Sequence, residues 1–217
     1  MKKTKQKSKI RPFRTWDRQD IQKHFGISRT ETLSLLETWL AANEKLSDSE
    51  NAVLENFRIF LSKKVDCLNE EELKMLFISK LINSIDFFEG GFRPYFDRKL
   101  SAKIQKIRVS GIADFMIAKG DIKPESPYFC FHEYKKAEGG ETVDTLGQLL
   151  IAMLAAQTLN RNEKPIYGAY IIGRNWFFVV LDGENYAVSE EFVATRSDIF
   201  QIYKMLKYLK TLIKEIS

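Results

Sequence analysis

Residues 109–140 read VSGIADFMIAKGDIKPESPYFCFHEYKKAEGG, two largely apolar runs joined by a loop rich in Gly, Pro and Asp. The runs predict two strands, GIADFMIAKG and PYFCFHEYKKA, connected through GDIKPESP. The charged side chains Asp114, Glu133 and Lys135 stand inside them. Successive side chains on a strand point to opposite faces. Glu133 and Lys135 are therefore expected on one face with Phe129 and Phe131, and Cys130, His132 and Tyr134 on the other. If the strands pair, Asp114 comes opposite or diagonal to Glu133.

Two carboxylates held together in a partly apolar place repel each other and lose hydration, unless a cation or a proton lies between them. Oxygen ligands without His or Cys at zinc spacing favour Mg²⁺ or Mn²⁺. The chemistry that follows is attack of a metal-activated water on a phosphodiester. Lys135 would orient or deprotonate that water and offset the charge growing on the phosphate. The competing reading of Glu133 and Lys135 is a surface ion pair on an edge strand, worth little.

Outward from this pair, NEEELKMLFISKLINSID predicts a helix with Asn69 as N-cap, Glu72 closing a capping box and Leu73, Phe77 and Leu81 inward. Glu70 falls on that inward face, either as a site residue or as a first-turn acid that complements the helix dipole. SAKIQKIRVSG reads as a further strand before the opening stretch. DTLGQLLIAMLAAQTLN reads as a helix after it, on which Gln148 heads a stripe with Ala152, Ala155 and Ala156. Its amide lies near the sheet, as a structural group or beside the metal. PIYGAYIIG and WFFVVLDG form a hairpin turned by RN. A closing amphipathic helix from Arg196 has Ile202, Met205, Leu206, Leu209 and Ile213 inside, with Lys204, Lys207, Lys210 and Lys214 largely on a solvated face. The order predicts an α/β (α+β) fold, a mixed central sheet flanked by helices.

Asp114, an 18-residue gap, then E-Y-K at 133–135 on two strands, with Glu70 on the preceding helix, resembles the PD-(D/E)XK nuclease superfamily. The similarity covers roughly residues 66–182. The resemblance implies a restriction-endonuclease-like fold and metal ligation by Asp114, Glu133 and the Tyr134 carbonyl. It also implies Lys135 as the catalytic lysine and Glu70 as an acid that holds a metal-bound water. Gln148 resembles the glutamine some exonuclease-like branches carry. Ala113 departs from the nominal proline, and Ala152 stands where those branches have an aromatic residue.

The expected organisation is a basic disordered tail over 1–14, a helical N-terminal extension over 15–65 and a nuclease-like domain over 66–217. The tail holds seven of the 34 Lys and Arg and no acid, which leaves 27 basic against 29 acidic side chains in the body. Such a block repels itself and can attract phosphate backbones. In the extension, TWDRQDIQKHF and TETLSLLETWL read as two short helices around Gly26–Ser28. The second is too acidic to read base edges and packs through Leu33, Leu36 and Leu40. A third helix is expected over Ser47–Lys64. Cys67 and Cys130 read as buried thiols. His132 faces away from the acids and His24 has no visible partner. With no apolar run near the roughly 20 residues of a membrane span, a membrane partner is not expected and the cytoplasm is the default.

The leading functional expectation is thus a Mg²⁺- or Mn²⁺-dependent nuclease acting on DNA more readily than RNA. The alternative is a catalytically inactive module of the same fold that binds nucleic acid or a protein. Its support is the mildly acidic body, which offers no broad basic cradle for a duplex. A homodimer is compatible with both.

Overall fold

A computed structural model describes residues 10–88, 90–136, 144–161 and 164–216. Among the described residues, nine strands make one mixed sheet. They are β1 (Ile10–Pro12), β2 (Ser28–Arg29), β3 (Phe92–Ile104), β4 (Ile107–Lys119), β5 (Glu125–Lys135), β6 (Ile166–Ile172), β7 (Asn175–Asp182), β8 (Asn185–Val188) and β9 (Phe192–Val193). Their order is β1-β4-β5-β6-β7-β8-β2, with β3 on the other edge of β4 and β9 beside β7. The helices are α1 (Arg18–Phe25), α2 (Ser34–Leu40), α3 (Asp48–Lys64), α4 (Glu70–Leu73), α5 (Ser79–Asn83), α6 (Thr145–Asn160) and α7 (Asp198–Ile216). One hydrophobic core lies between the sheet and α2–α5 with α7, the other between the sheet and α1 with α6.

Long, strongly patterned segments fold as their sequence predicts. Asn69 caps α4 in a capping box with Glu72, and Leu73, Phe77 and Leu81 are buried. Ser47 caps α3 in a second box, with Glu50. On α7, Ile202, Met205, Leu206, Leu209 and Ile213 are each fully buried, which stabilises the fold by about 1.5–3 kcal/mol per side chain.

Other expectations are corrected. SAKIQKIRVSG is no single strand: it turns at Gln105 and Lys106, with Gln105 at φ 50°, so that β3 and β4 form a long hairpin. Its first strand begins at Phe92, upstream of the predicted span. Phe129 does not share a face with Phe131. The β4–β5 register slips on either side of Ala118, and the resulting bulge turns Phe129 into the core that holds Cys130. Lys207 is half-buried and donates to Glu50 at 2.8 Å, holding that carboxylate down at about 2, so the α7 lysines are not simply a solvated face. Cys67 is exposed; only Cys130 is buried.

Residues 10–14 of the basic segment are structured, as β1 and the start of a 3₁₀ turn over Phe13–Thr15, while residues 1–9 lie outside the described residues. The segment expected as an extension joins the sheet through β2, which runs parallel to β8. Trp39 is fully buried and its indole donates to the Met205 carbonyl at 2.8 Å, fastening α2 to α7. The entry to α1 packs directly on α6: a Cβ at Gly147 would stand 2.7 Å from the Trp16 carbonyl oxygen and 2.8 Å from Asp17 Cα. Backbone cannot step aside as a flexible side chain can. Gly147→Ala is therefore expected to destabilise the protein by about 1–3 kcal/mol in urea denaturation; an unchanged midpoint would contradict this packing.

Candidate metal centre

The site forms where the sheet loses its regularity. Along one edge β4 pairs with β1 through Arg108–Ser110 and with β5 from Phe115 onward, so residues 111–114 lie between the two pairings. Across the β3–β4 hairpin, Asp97 stands opposite Asp114 and has a left-handed backbone, φ 50°. An aspartate tolerates that region better than most residues. The alternation of faces reverses at this pair. Val109 and Ala113 belong to the core under α6, whereas Phe115 and Ile117 belong to the opposite core.

Phe115 pairs with His132, which sets the next residues, Asp114 and Glu133, across from each other. Instead of a backbone carbonyl, the Asp114 carboxylate accepts the Tyr134 N–H, at 2.9 Å. On a strand a residue's N–H and carbonyl point to the same side. The Tyr134 carbonyl is thus turned toward β4 and the two acids, while Lys135 bonds the other way, accepting from the Gly173 N–H at 2.9 Å.

Glu133 is 6% exposed. Its Oε1 accepts from Gln148 Nε2 at 2.6 Å and lies 3.3 Å from Lys135 Nζ. Lys135 Nζ is also 3.5 Å from both oxygens of Glu70 at the start of α4. The five side chains singled out in the sequence, Glu70, Asp114, Glu133, Lys135 and Gln148, thus meet at one place. His132 does not join them. It is buried against Phe115 with ring centroids 4.7 Å apart, and burial drives its pKa down to about 3, which keeps the ring neutral. His24 packs edge-on against Trp16, outside the site.

The electrostatics are those of a place short of positive charge. Burial, and after it the Asp114 carboxylate, pushes Glu133 up to about 8 despite Lys135. Burial also raises Asp114, against the Tyr134 N–H and the charges of Lys74 and Lys135. For Lys135 burial opposes the charge, but Glu133, Glu70 and Asp114 outweigh it and the pKa rises.

Two participants were missed in the sequence, Lys74 and Asp97. Lys74 lies in a π-helical turn, Lys74–Ile78, between α4 and α5. It is buried along its stem, and its Nζ sits 2.5 Å from Asp97 Oδ1 and 3.8 Å from Asp114 Oδ1. A lysine four residues after Glu70, within an apolar stripe, was the available signal. For Asp97 there was none, because its place arises from the hairpin pairing. Lys74→Met removes one cation from three acids, Glu71, Asp97 and Asp114, of which Glu71 and Asp97 are largely exposed. A destabilisation of about 1–2 kcal/mol is expected, with a smaller loss for Asp97→Ala; equal urea midpoints for wild type and Lys74→Met would refute this role.

The donor set suits a hard divalent cation: two facing carboxylates, one of them buried, and a backbone carbonyl. Among the described residues, no three of His, Cys, Asp and Glu converge into a group that could hold an ion by themselves, so the carbonyl and non-protein ligands would complete the shell. Comparison with known protein families and with curated proteins returns no match. Among the described residues, no helix is long and apolar enough to cross a membrane.

Proposed function

We propose that this protein is a Mg²⁺- or Mn²⁺-dependent nuclease hydrolysing phosphodiester bonds, in DNA more readily than RNA, with a PD-(D/E)XK arrangement. The observation that carries the reading is the buried Glu133 carboxylate facing Asp114, with the Lys135 ammonium 3.3 Å away. Asp114, Glu133 and the Tyr134 carbonyl would hold the cation. When bound, the cation supplies a Lewis acid that activates water and neutralises phosphate charge. Lys135 places a fixed positive charge beside the reacting phosphate, where charge grows during hydrolysis. Gln148 holds Glu133 in one rotamer, and Glu70 holds the head of Lys135 from the opposite side.

The test is incubation of the pure protein with single-stranded and duplex DNA and RNA in Mg²⁺ or Mn²⁺, with chelator as control. Failure to cut every substrate overturns the proposal. One observation favours the second reading, an inactive module: the described residues hold no three-ligand acid cluster. Mn²⁺ that raises the melting temperature of wild type but not of Glu133→Ala supports a working site; the absence of any shift supports the module.

A further inference from the structure

The row of strand partners that contains the two acids does not end at Glu133. Glu133 pairs with Tyr170 on β6, and Tyr170 pairs with Phe177 on β7. Side chains of partnered residues share a face, so Glu133, Tyr170 and Phe177 form one line across the α6 side of the sheet, with Asp114 across from Glu133 where the β4–β5 pairing lapses. The Tyr170 and Phe177 rings are stacked, with centroids 4.6 Å apart and planes within 7°, and both are only half-buried. Strands lie roughly 4.8 Å apart, which sets the Cα atoms of Tyr170 and Phe177 roughly 5 and 10 Å from that of Glu133, about the span of one nucleotide.

At the start of α6, one turn before Gln148, is a cavity of about 630 Å³ lined by Arg18, Arg29, Gln22 and Tyr186 with the acids Asp17 and Asp144. Both acids are already engaged: Asp17 caps α1 through the Asp20 N–H, and Asp144 accepts from Arg18 Nε at 2.7 Å. Arg29 is exposed, and no side chain among the described residues holds it. The β2–β8 pairing sets Arg29 beside Tyr186, and the charges of Arg18 and then Arg29 act on both the Tyr170 and Tyr186 hydroxyls, against the rise that burial causes.

We infer that Tyr170, Phe177 and Arg29 form a binding platform for single-stranded nucleic acid, on which an unpaired base continues the aromatic stack and a neighbouring phosphate meets Arg29 in the cavity. Ring faces select this ligand because every base has a π-face, and a duplex keeps its base faces against one another. Arg29 selects the anionic backbone. The inference rests on the proposed nuclease reading for its purpose, since it feeds a strand across Glu133 and Asp114, and it names that site's substrate as single-stranded.

The experiment is fluorescence anisotropy in chelator, which prevents cutting, with one labelled oligonucleotide used alone and annealed to its complement. Wild type is expected to bind the single strand about tenfold or more tightly than the duplex. Tyr170→Leu should weaken single-strand binding about tenfold, and Tyr170→Phe should restore it. Arg29→Ala, at an exposed position, should weaken binding and lower the slope of log K against log salt by about one. Preference for the duplex, or wild-type affinity in both Tyr170→Leu and Arg29→Ala, would overturn the platform. A protein that cuts with Mn²⁺ but shows no single-strand preference sinks this inference and leaves the nuclease. One that binds single strands through Tyr170 and Arg29 but neither cuts nor shifts with Mn²⁺ keeps the platform and sinks the nuclease.

Discussion

On the proposed nuclease reading, Lys135→Met and Glu133→Gln are each expected to lower Mn²⁺-dependent cleavage by about 10²–10³-fold or more, with folding retained. Both substitutions keep shape and remove charge. Glu133→Gln still offers an oxygen to the Gln148 amide, which lies 2.6 Å from Oε1 in wild type, so the contact with α6 survives while one ligand charge disappears. Lys135→Met keeps the stem and deletes the ammonium that stands 3.3 Å from Glu133 and 3.5 Å from Glu70. Such charge acts in a site screened from water, where its loss cannot be made up by solvent. Asp114→Asn should behave alike, because the Tyr134 N–H can still find an oxygen there. Cys67→Ser, at an exposed position with no part in the site, serves as the control and should cut like wild type. Initial rates on a labelled strand, with melting curves to show that each variant is folded, are the measurement. Undiminished cutting by either charge-deleting variant would mean that the chemistry lies elsewhere.

The second large effect is on stability in the absence of metal. Glu133 has its pKa raised from 4.5 to about 8, so between those values the folded protein holds a proton that the unfolded chain has released. Stability falls with pH wherever the folded state binds more protons. The Glu133 contribution is fully present below the unfolded value and is lost as pH rises through about 8, for a total on the order of 4–5 kcal/mol. Asp114, also raised, adds in the same direction. His132 works the other way: lowered from 6.5 to about 3, it favours the folded state above 6.5 and withdraws that support as pH falls. Comparison with Glu133→Gln cancels the histidine. In chelator, urea denaturation of wild type should therefore lose stability relative to Glu133→Gln from weakly acidic pH to about pH 8. Mn²⁺ at the alkaline end should restore about 2.7 kcal/mol to wild type at a hundredfold excess over Kd, and nothing to the variant. Parallel pH profiles for the two proteins would show that Glu133 ionises freely and needs no cation.

Much of this site was legible because its parts are local. The E-Y-K triplet puts Glu133 and Lys135 on one face by the pleat alone, and Asn69 with Glu72 announces the helix that carries Glu70. Gln148 was singled out by its resemblance to the glutamine of exonuclease-like branches, and the small-residue stripe of α6 placed its amide near the sheet. The bulge at Phe129, the strand beginning at Phe92 and the left-handed Asp97 were not legible, because each answers to a partner strand rather than to its own neighbours. The same holds for β1 and β2, which are too short to carry a periodic signal and exist only because β4 and β8 offer edges.

The sequence by itself determined which side chains could meet: an aspartate on one strand, a glutamate and lysine on the next, an acid at a helix start and an amide on the following helix. Hydrophobic periodicity sets which face a residue takes within its element, and that information is short-ranged. Only the tertiary structure decided that the sheet's pairing lapses beside Asp114 and that Lys74 and Asp97 stand against it. It alone decided that Tyr170 and Phe177 stand in the same strand row as Glu133. These are matters of register between segments far apart in the chain, settled by packing two cores against one twisted sheet.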